Sequence, residues 1–350
     1  MWPPTFLIQA EVFTLGTHSW YRQLETISRS RYLDKFKKSM FFRTNVSLVL
    51  ILFLALASCS KKAAVQSTFS KPDPAQFDNL RDSVTQIAAL AKGHVGVSAM
   101  ILETGETVVA LNPRDHFPMQ SVYKLPISMA VMKQVDGGRL KLEQKVAVAK
   151  SDFVRAGQHS PIRDRNPNGA EIAVNELIRF AIVESDGTAS DVLMKLAGGP
   201  QAVQAYLNDL SVNDLIVLNT EKEIGQDWQV QYRNFSTPDA AVALLRALHE
   251  KRGLSESSQG LILKYLVESI PGAKRLKGLL PAGTIVAHKT GTSGTEKGIT
   301  AATNDIGIIT LPNGNHLAIA VFVSDSPTDE ATREGVIAKI AKLVVDSQRQ

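Results

Sequence analysis

Cysteine is almost absent: Cys59 stands alone among 350 residues, which excludes an intrachain disulfide and a thiolate metal cluster. The seven histidines form no i, i+4 pair and no acid-flanked group along the chain, so neither a metal site nor a cofactor is expected. No stretch interleaves basic with aromatic residues in the manner of a nucleic-acid surface. No segment repeats another, which sets aside solenoids and propellers. The apolar run at 46–57 is too short to span a bilayer comfortably.

A net charge of +5 points towards nucleic acid only until the charges are placed. Seven of the 39 Lys and Arg lie in residues 1–58, against three of the 34 acidic residues, which leaves 32 basic and 31 acidic residues beyond. That near-neutral remainder carries no electrostatic footprint for DNA or RNA. With 44% hydrophobic and 21% charged residues of both signs, the composition is that of a globular protein. At this length a two-lobed enzyme with one cleft fits, once a leader is removed.

Arg43 precedes the apolar run and the small residue Ser58 follows it, which is the layout of a signal peptide. Leu56-Ala57-Ser58-Cys59 resembles the bacterial lipobox, whose cysteine is lipidated and becomes the first mature residue. Each buried acyl methylene adds about 0.8 kcal/mol of membrane affinity, so several chains on one cysteine hold a protein firmly. Met40-Phe41-Phe42-Arg43 already supplies the short charged start of a signal peptide, which makes Met40 the expected first residue. The reading is a leader over 1–58, a lipidated Cys59 and tether over 59–76, and a folded domain over 77–350. The protein is then an exported, periplasmic monomer anchored to a membrane through lipid.

Within the domain, apolar residues at helical spacing predict a first helix over 78–92, stopped by Gly93. A strand hairpin follows over 95–111, turning at 103–106. Helical periodicity then dominates at 121–135, 174–183, 188–196, 200–208, 237–251 and 257–269. Strands return at 284–289, 300–311 and 317–324, and a helix closes the chain over 328–347. Strands first, helices in the middle, and strands with a helix last describe a discontinuous α/β lobe with an all-helical lobe inserted.

Ser121-Val122-Tyr123-Lys124 opens the helix expected at 121–135, where i and i+3 side chains share a face. A serine becomes a nucleophile when a base takes its proton, and a lysine one turn away does so if its pKa is lowered by a buried, positive setting. Free N–H groups at a helix start would face the negative charge that develops during attack. On its own the pattern is weak, since it recurs on many solvated helix faces. Two further motifs change its weight: Ser185-Asp186-Gly187 opens a helix, and Lys289-Thr290-Gly291 ends a strand. Ser-x-x-Lys, Ser-Asp-Asn and Lys-Thr-Gly in this order make up the motif set of class A β-lactamases and penicillin-binding proteins, matched here except for the last residue of the second motif.

The chain thus resembles a class A serine β-lactamase over residues 77–346. Gln120 and Gln229-Val230-Gln231-Tyr232-Arg233-Asn234 resemble the extended-spectrum branch. The resemblance implies an α/β (α+β) fold of the β-lactamase/D,D-peptidase kind: an antiparallel sheet flanked by helices plus an inserted all-helical lobe. It also implies hydrolysis of a small-molecule β-lactam through an acyl-enzyme on Ser121, with Lys124 as its base. Ser185, set between Lys124 and Lys289, would return a proton to the departing ring nitrogen, and the backbone N–H groups of Ser121 and Thr292 would form the oxyanion hole. Glu221, in the stretch matching the family's omega loop, would activate the deacylating water. Its spacing to Ser185 and Lys289 favours it over Glu223. Lys289, Thr290, Gly291 and Thr292 would bind the substrate carboxylate.

The chain departs from the family pattern in several places. Gly187 replaces the asparagine of the Ser-Asp-Asn motif, and Gly225 stands four residues after Glu221, where common members place another asparagine. Both glycines suggest a roomier cleft and a cephalosporinase that accepts bulky oxyimino substrates, although they also fit a penicillinase with poor control of water. No arginine follows in 300–305. Arg333 is either its substitute or a solvated helix residue, and His159 is expected at the cleft rim. A D,D-peptidase and a catalytically silent peptidoglycan-binding lipoprotein are the alternatives.

Overall fold

A computed structural model of the chain describes residues 74–349, so the expected leader, Cys59 and nearly all of the tether lie outside the described residues. Five strands, β1 (His94–Ile101), β2 (Glu106–Leu111), β3 (Val286–Thr292), β4 (Thr303–Thr310) and β5 (His316–Ser324), form one antiparallel sheet. Their order is β2-β1-β5-β4-β3. The central strand β5 is apolar almost throughout because both of its faces are covered. Its side chains alternate between two cores. Leu317, Ile319, Val321 and Val323 pack with Val84, Val336 and Ile340, whereas Ala318, Ala320 and Phe322 pack with Phe117, Leu244 and Leu248.

The helices are α1 (Pro74–Ala89), α2 (Lys124–Asp136), α3 (Pro161–Arg165), α4 (Val174–Val183), α5 (Gly187–Ala197) and α6 (Pro200–Asp209). They continue with α7 (Glu221–Ile224), α8 (Pro238–His249), α9 (Glu256–Val267) and α10 (Glu330–Ser347). The terminal helices α1 and α10 cover one face of the sheet, and α8 lies on the other. Between β2 and β3 the inserted helices gather around α2, whose residues from Lys124 to Met132 are all buried. A helix apolar on every side belongs at the centre of a bundle, and α4, α5, α6 and α9 all contact it. The sheet, its flanking helices and the inserted bundle agree with the expected fold. Among the described residues no helix is long and apolar enough to cross a membrane.

Helix boundaries depart from the expectations at α1, which runs Pro74–Ala89 rather than 78–92 and ends before Gly93, and at the site. Gln120–Tyr123 forms a 3-10 turn, and the α-helix begins only at Lys124. Ser121 therefore sits on the tighter turn that leads into the helix.

Candidate active site

Lys124 occupies the middle of the site. Its Nζ lies 2.8 Å from Ser121 Oγ, 2.8 Å from the Ser185 carbonyl oxygen and 3.2 Å from Glu221 Oε2. Lys289, fully buried in the middle of β3, donates to Ser185 Oγ at 2.9 Å and to the Thr290 carbonyl at 3.1 Å. Burial, followed by the nearby charge of Lys124, holds the Lys289 amine well below the usual lysine range. Gln120 and Ser185, beside these contacts, adopt left-handed backbone conformations with φ of 49° and 58°. Such residues cost of order 1–3 kcal/mol each and persist where the surroundings over-determine them. Gln120 is fixed by a 2.7 Å bond from its Nε2 to Gln231 Oε1, so the glutamine before Ser121 and the second glutamine of the 229–234 motif are a buried pair. Asn234 of that motif bonds the Leu218 and Asn219 N–H groups, which closes the loop carrying Glu221.

β3 comes close to the turn of Ser121 because residue 291 is glycine. A Cβ there would lie 2.2 Å from the Met119 carbonyl oxygen. Asn304 completes the junction by donating to the Pro118 carbonyl at 2.8 Å. A cleft of about 700 Å³ opens between β3 and the helical lobe, and Ser121, Lys124, Ser185, Glu221, Thr290 and Thr292 all line it. His159 stands exposed on its wall, with Nε2 donating to the Glu184 carbonyl at 2.9 Å. Gly291 contributes backbone at the junction.

The loop of Glu221 is built by a capping box, the Thr-x-x-Glu pattern at a helix start. Thr220 caps α7, and Glu223 returns to accept the Thr220 N–H at 2.8 Å. Glu223 is thereby committed to the loop, while Glu221 faces Lys124. Burial opposes ionisation of Glu221, but the Lys124 charge and a hydrogen bond from Tyr123 outweigh it and hold the carboxyl below its ordinary value. Asp191, from α5, accepts the Glu221 N–H at 2.6 Å and the Lys222 N–H at 3.0 Å. Burial pushes the Asp191 carboxyl up to about 7 against these bonds, with the Glu221 charge adding to the rise.

The two glycines do not widen the cleft as expected, because neighbouring side chains take their space. A Cβ on Gly187 would lie 2.8 Å from Glu221 Cγ and 3.2 Å from the His159 carbonyl oxygen. A Cβ on Gly225 would lie 2.6–2.7 Å from three atoms of the Gln158 amide, which donates to the Glu221 carbonyl. Asp186, between Ser185 and Gly187, is buried and accepts from Ala189 N at 2.8 Å and Ile162 N at 2.7 Å, which ties the 160–162 loop to α5.

Arg333 fits neither expectation. It is buried, its Nε donates to Thr303 Oγ1 at 2.8 Å, and it does not line the cleft. The cation behind β3 is Arg275, which donates to Thr292 Oγ1 at 2.8 Å and to the carbonyls of Gly291 and Asn304, and pairs with Glu334 at 3.1 Å. Sequence reasoning missed Arg275 because it lies in an irregular stretch without periodicity. Tyr123 was passed over although it stands inside the first motif. Glu103, His249 and His316 bring donor atoms within 4.8 Å of one another at the opposite end of the sheet, a grouping that their separation in sequence concealed. Glu103 Oε1 there already accepts from His316 Nδ1 at 2.7 Å.

Comparison with known proteins agrees with this geometry. The profile of the "Beta-lactamase enzyme family" matches residues 79–348. The chain is 40% identical to β-lactamase VEB-1 of Pseudomonas aeruginosa over 77% of its own length and 90% of the relative's. It is also 40% identical to extended-spectrum β-lactamase PER-1 of the same organism, over 77% of this chain and 87% of that one. A crystal structure of a β-lactamase from Chitinophaga pinensis superposes with a TM-score of 0.75 at 46% identity, covering 77% of this chain and all (100%) of that one. The solved structures similar to this chain include class A β-lactamases. The chain belongs to the β-lactamase enzyme family, within class A, and is a β-lactam hydrolase.

Proposed function

We propose that Ser121 is the nucleophile of this hydrolase, and the observation that carries the reading is the position of Lys124 Nζ between Ser121 Oγ and Glu221 Oε2. Lys124 in its neutral form accepts the proton of Ser121 as Oγ attacks the lactam carbonyl carbon, and that proton is relayed to Ser185 Oγ as Ser185 gives up its own, which leaves the Glu221 carboxylate unprotonated for the second half-reaction. Lys289 donates to Ser185 Oγ, so the Ser185 hydroxyl is free to pass its own hydrogen to the ring nitrogen when the C–N bond breaks. Backbone N–H groups of Ser121 and Thr292 are assigned to the carbonyl oxygen. In the second half-reaction Glu221 takes a proton from water, the water oxygen attacks the ester carbon, and Ser121 leaves with its proton restored.

Thr290, Thr292 and Lys289 are assigned to the substrate carboxylate. Arg275 does not line the cleft, but it donates to Thr292 Oγ1, which directs the Thr292 hydrogen outwards to an anion. A slow β-lactam followed by mass spectrometry tests the nucleophile: the adduct belongs on the peptide containing Ser121, and one on Ser185 overturns the assignment. Nitrocefin separates turnover from the single stoichiometric burst of a D,D-peptidase and from the silence of a binding protein.

The substrate range is proposed to include bulky oxyimino cephalosporins, on the likeness to extended-spectrum relatives and the Gln120–Gln231 pair. The glycines at 187 and 225 give this no support. The chain is further proposed to act as a periplasmic monomer anchored through a lipidated Cys59 within the Leu56-Ala57-Ser58-Cys59 motif. Labelled fatty acid should enter the parent protein and not Cys59→Ser, and failure to label the parent refutes the anchor.

A further inference from the structure

We infer that Tyr123 is a positioning residue for the deacylating glutamate: its hydroxyl engages one oxygen of Glu221 and so leaves the other for water. The inference rests on the assignment of Glu221 as the base.

Every part of Glu221 except its carboxylate torsion is held by something else. Its N–H is fixed by Asp191, its carbonyl by the Gln158 amide, and its Cγ by the Gly187 backbone, beside which no room remains. The terminal torsion of a glutamate is broad and nearly two-fold, so packing of the stem does not decide which oxygen faces the cleft. Tyr123 Oη decides it, by donating to Oε2 at 2.6 Å, with Lys124 Nζ 3.2 Å from the same oxygen. Among the described residues no side chain or N–H donates to Oε1, and Glu221 lines the cleft. Tyr123 is itself fully buried on the turn that carries Ser121 and Lys124, so nucleophile, amine and donor to the base move as one unit. Burial, with the Glu221 and Asp191 charges, keeps its phenol protonated far above neutrality, so it acts only as a donor towards the carboxylate. No amide reaches the carboxylate from residue 225, because that residue is glycine and the Gln158 amide filling its place is spent on the Glu221 carbonyl.

Tyr123→Phe keeps the ring and removes the donor. A hydrogen bond to a charged group corresponds to a factor of roughly ten to a hundred, so deacylation should slow by that much while the acylation rate stays within about twofold. With a deacylation-limited substrate, kcat and KM should fall together and the acyl-enzyme should accumulate. The acid limb of the kcat profile should move to higher pH, because a carboxylate that loses a donor is easier to protonate. Glu221→Gln is measured alongside. If it turns over normally, the assignment of the base fails. If it traps the acyl-enzyme while Tyr123→Phe keeps the parent kcat and acid limb, the positioning role alone is refuted. Equal loss in both half-reactions together with a lowered Tm also refutes it, since that is the mark of a packing defect.

Discussion

Arg275 Nη2 donates to Thr292 Oγ1 at 2.8 Å, from a position almost closed to solvent behind the strand. Its remaining bonds go to the Gly291 and Asn304 carbonyls and to Glu334, so one guanidinium braces β3, β4 and α10. Arg275→Ala should raise KM for carboxylate-bearing cephalosporins, lowering kcat/KM by roughly ten- to a hundredfold. It should also lower Tm, since breaking a buried ion pair from one side costs about 3–5 kcal/mol. Steady-state kinetics and thermal unfolding on one preparation check both, and an unchanged KM would remove Arg275 from substrate recognition.

Glu221→Ala should leave acylation possible and trap the acyl-enzyme, with kcat lower by about a hundredfold to ten-thousandfold, the range of a lost general base. Glu223→Ala should turn over. It opens the capping box at Thr220, worth about 1 kcal/mol, so Tm should drop by about 2–4 °C. Intact-mass measurement after a substrate pulse distinguishes the two variants, and trapping in Glu223→Ala would shift the base by two residues.

Asp191 titrates on the wrong side for stability. With its folded pKa raised to about 7, its protonated form is the one the fold favours. Its contribution is present in acid, below the ordinary carboxyl value, and is lost as pH rises to about 7. Asp191→Asn removes that term, so its Tm should vary less than the parent's between pH 5 and pH 8. Identical pH dependence in the two proteins would show that Asp191 carries its charge freely.

Gly225→Ala meets only the far end of a flexible side chain, the Gln158 amide. The variant should fold, displace that amide from the Glu221 carbonyl and lose less than about tenfold in kcat, as for one neutral hydrogen bond. Single-turnover kinetics should place the loss in deacylation; a loss confined to acylation would contradict the role given to Gln158.

Legibility in the sequence followed the range of the interactions. Ser121 and Lys124 are three apart, and the apolar run of β5 is written within nine residues. What stayed hidden depends on contacts between distant segments. Tyr123 and Glu221 are 98 residues apart, and Gly187 receives Glu221 Cγ from another loop. A glycine reads as empty space until its neighbour is known, which is why the expectation of a wide cleft failed at both 187 and 225. Arg333 was sought by position on the last helix, but Leu276 N is held by Asp305 at 3.2 Å, and that contact places the adjacent Arg275 behind β3.

The contact between Gly187 and Glu221 also constrains how this enzyme can change. Any side chain at 187 needs the volume that Glu221 Cγ now fills, so an asparagine arriving alone would push the glutamate away from Lys124 and Tyr123. Such a mutant would still capture β-lactams but release them slowly, and a cell under antibiotic would gain nothing from it. The same substitution becomes tolerable only after the loop at 220–225 has moved. A longer residue at 187 thus requires a prior shift of the 220–225 loop, so the order in which the two changes arrive decides whether the base keeps its place.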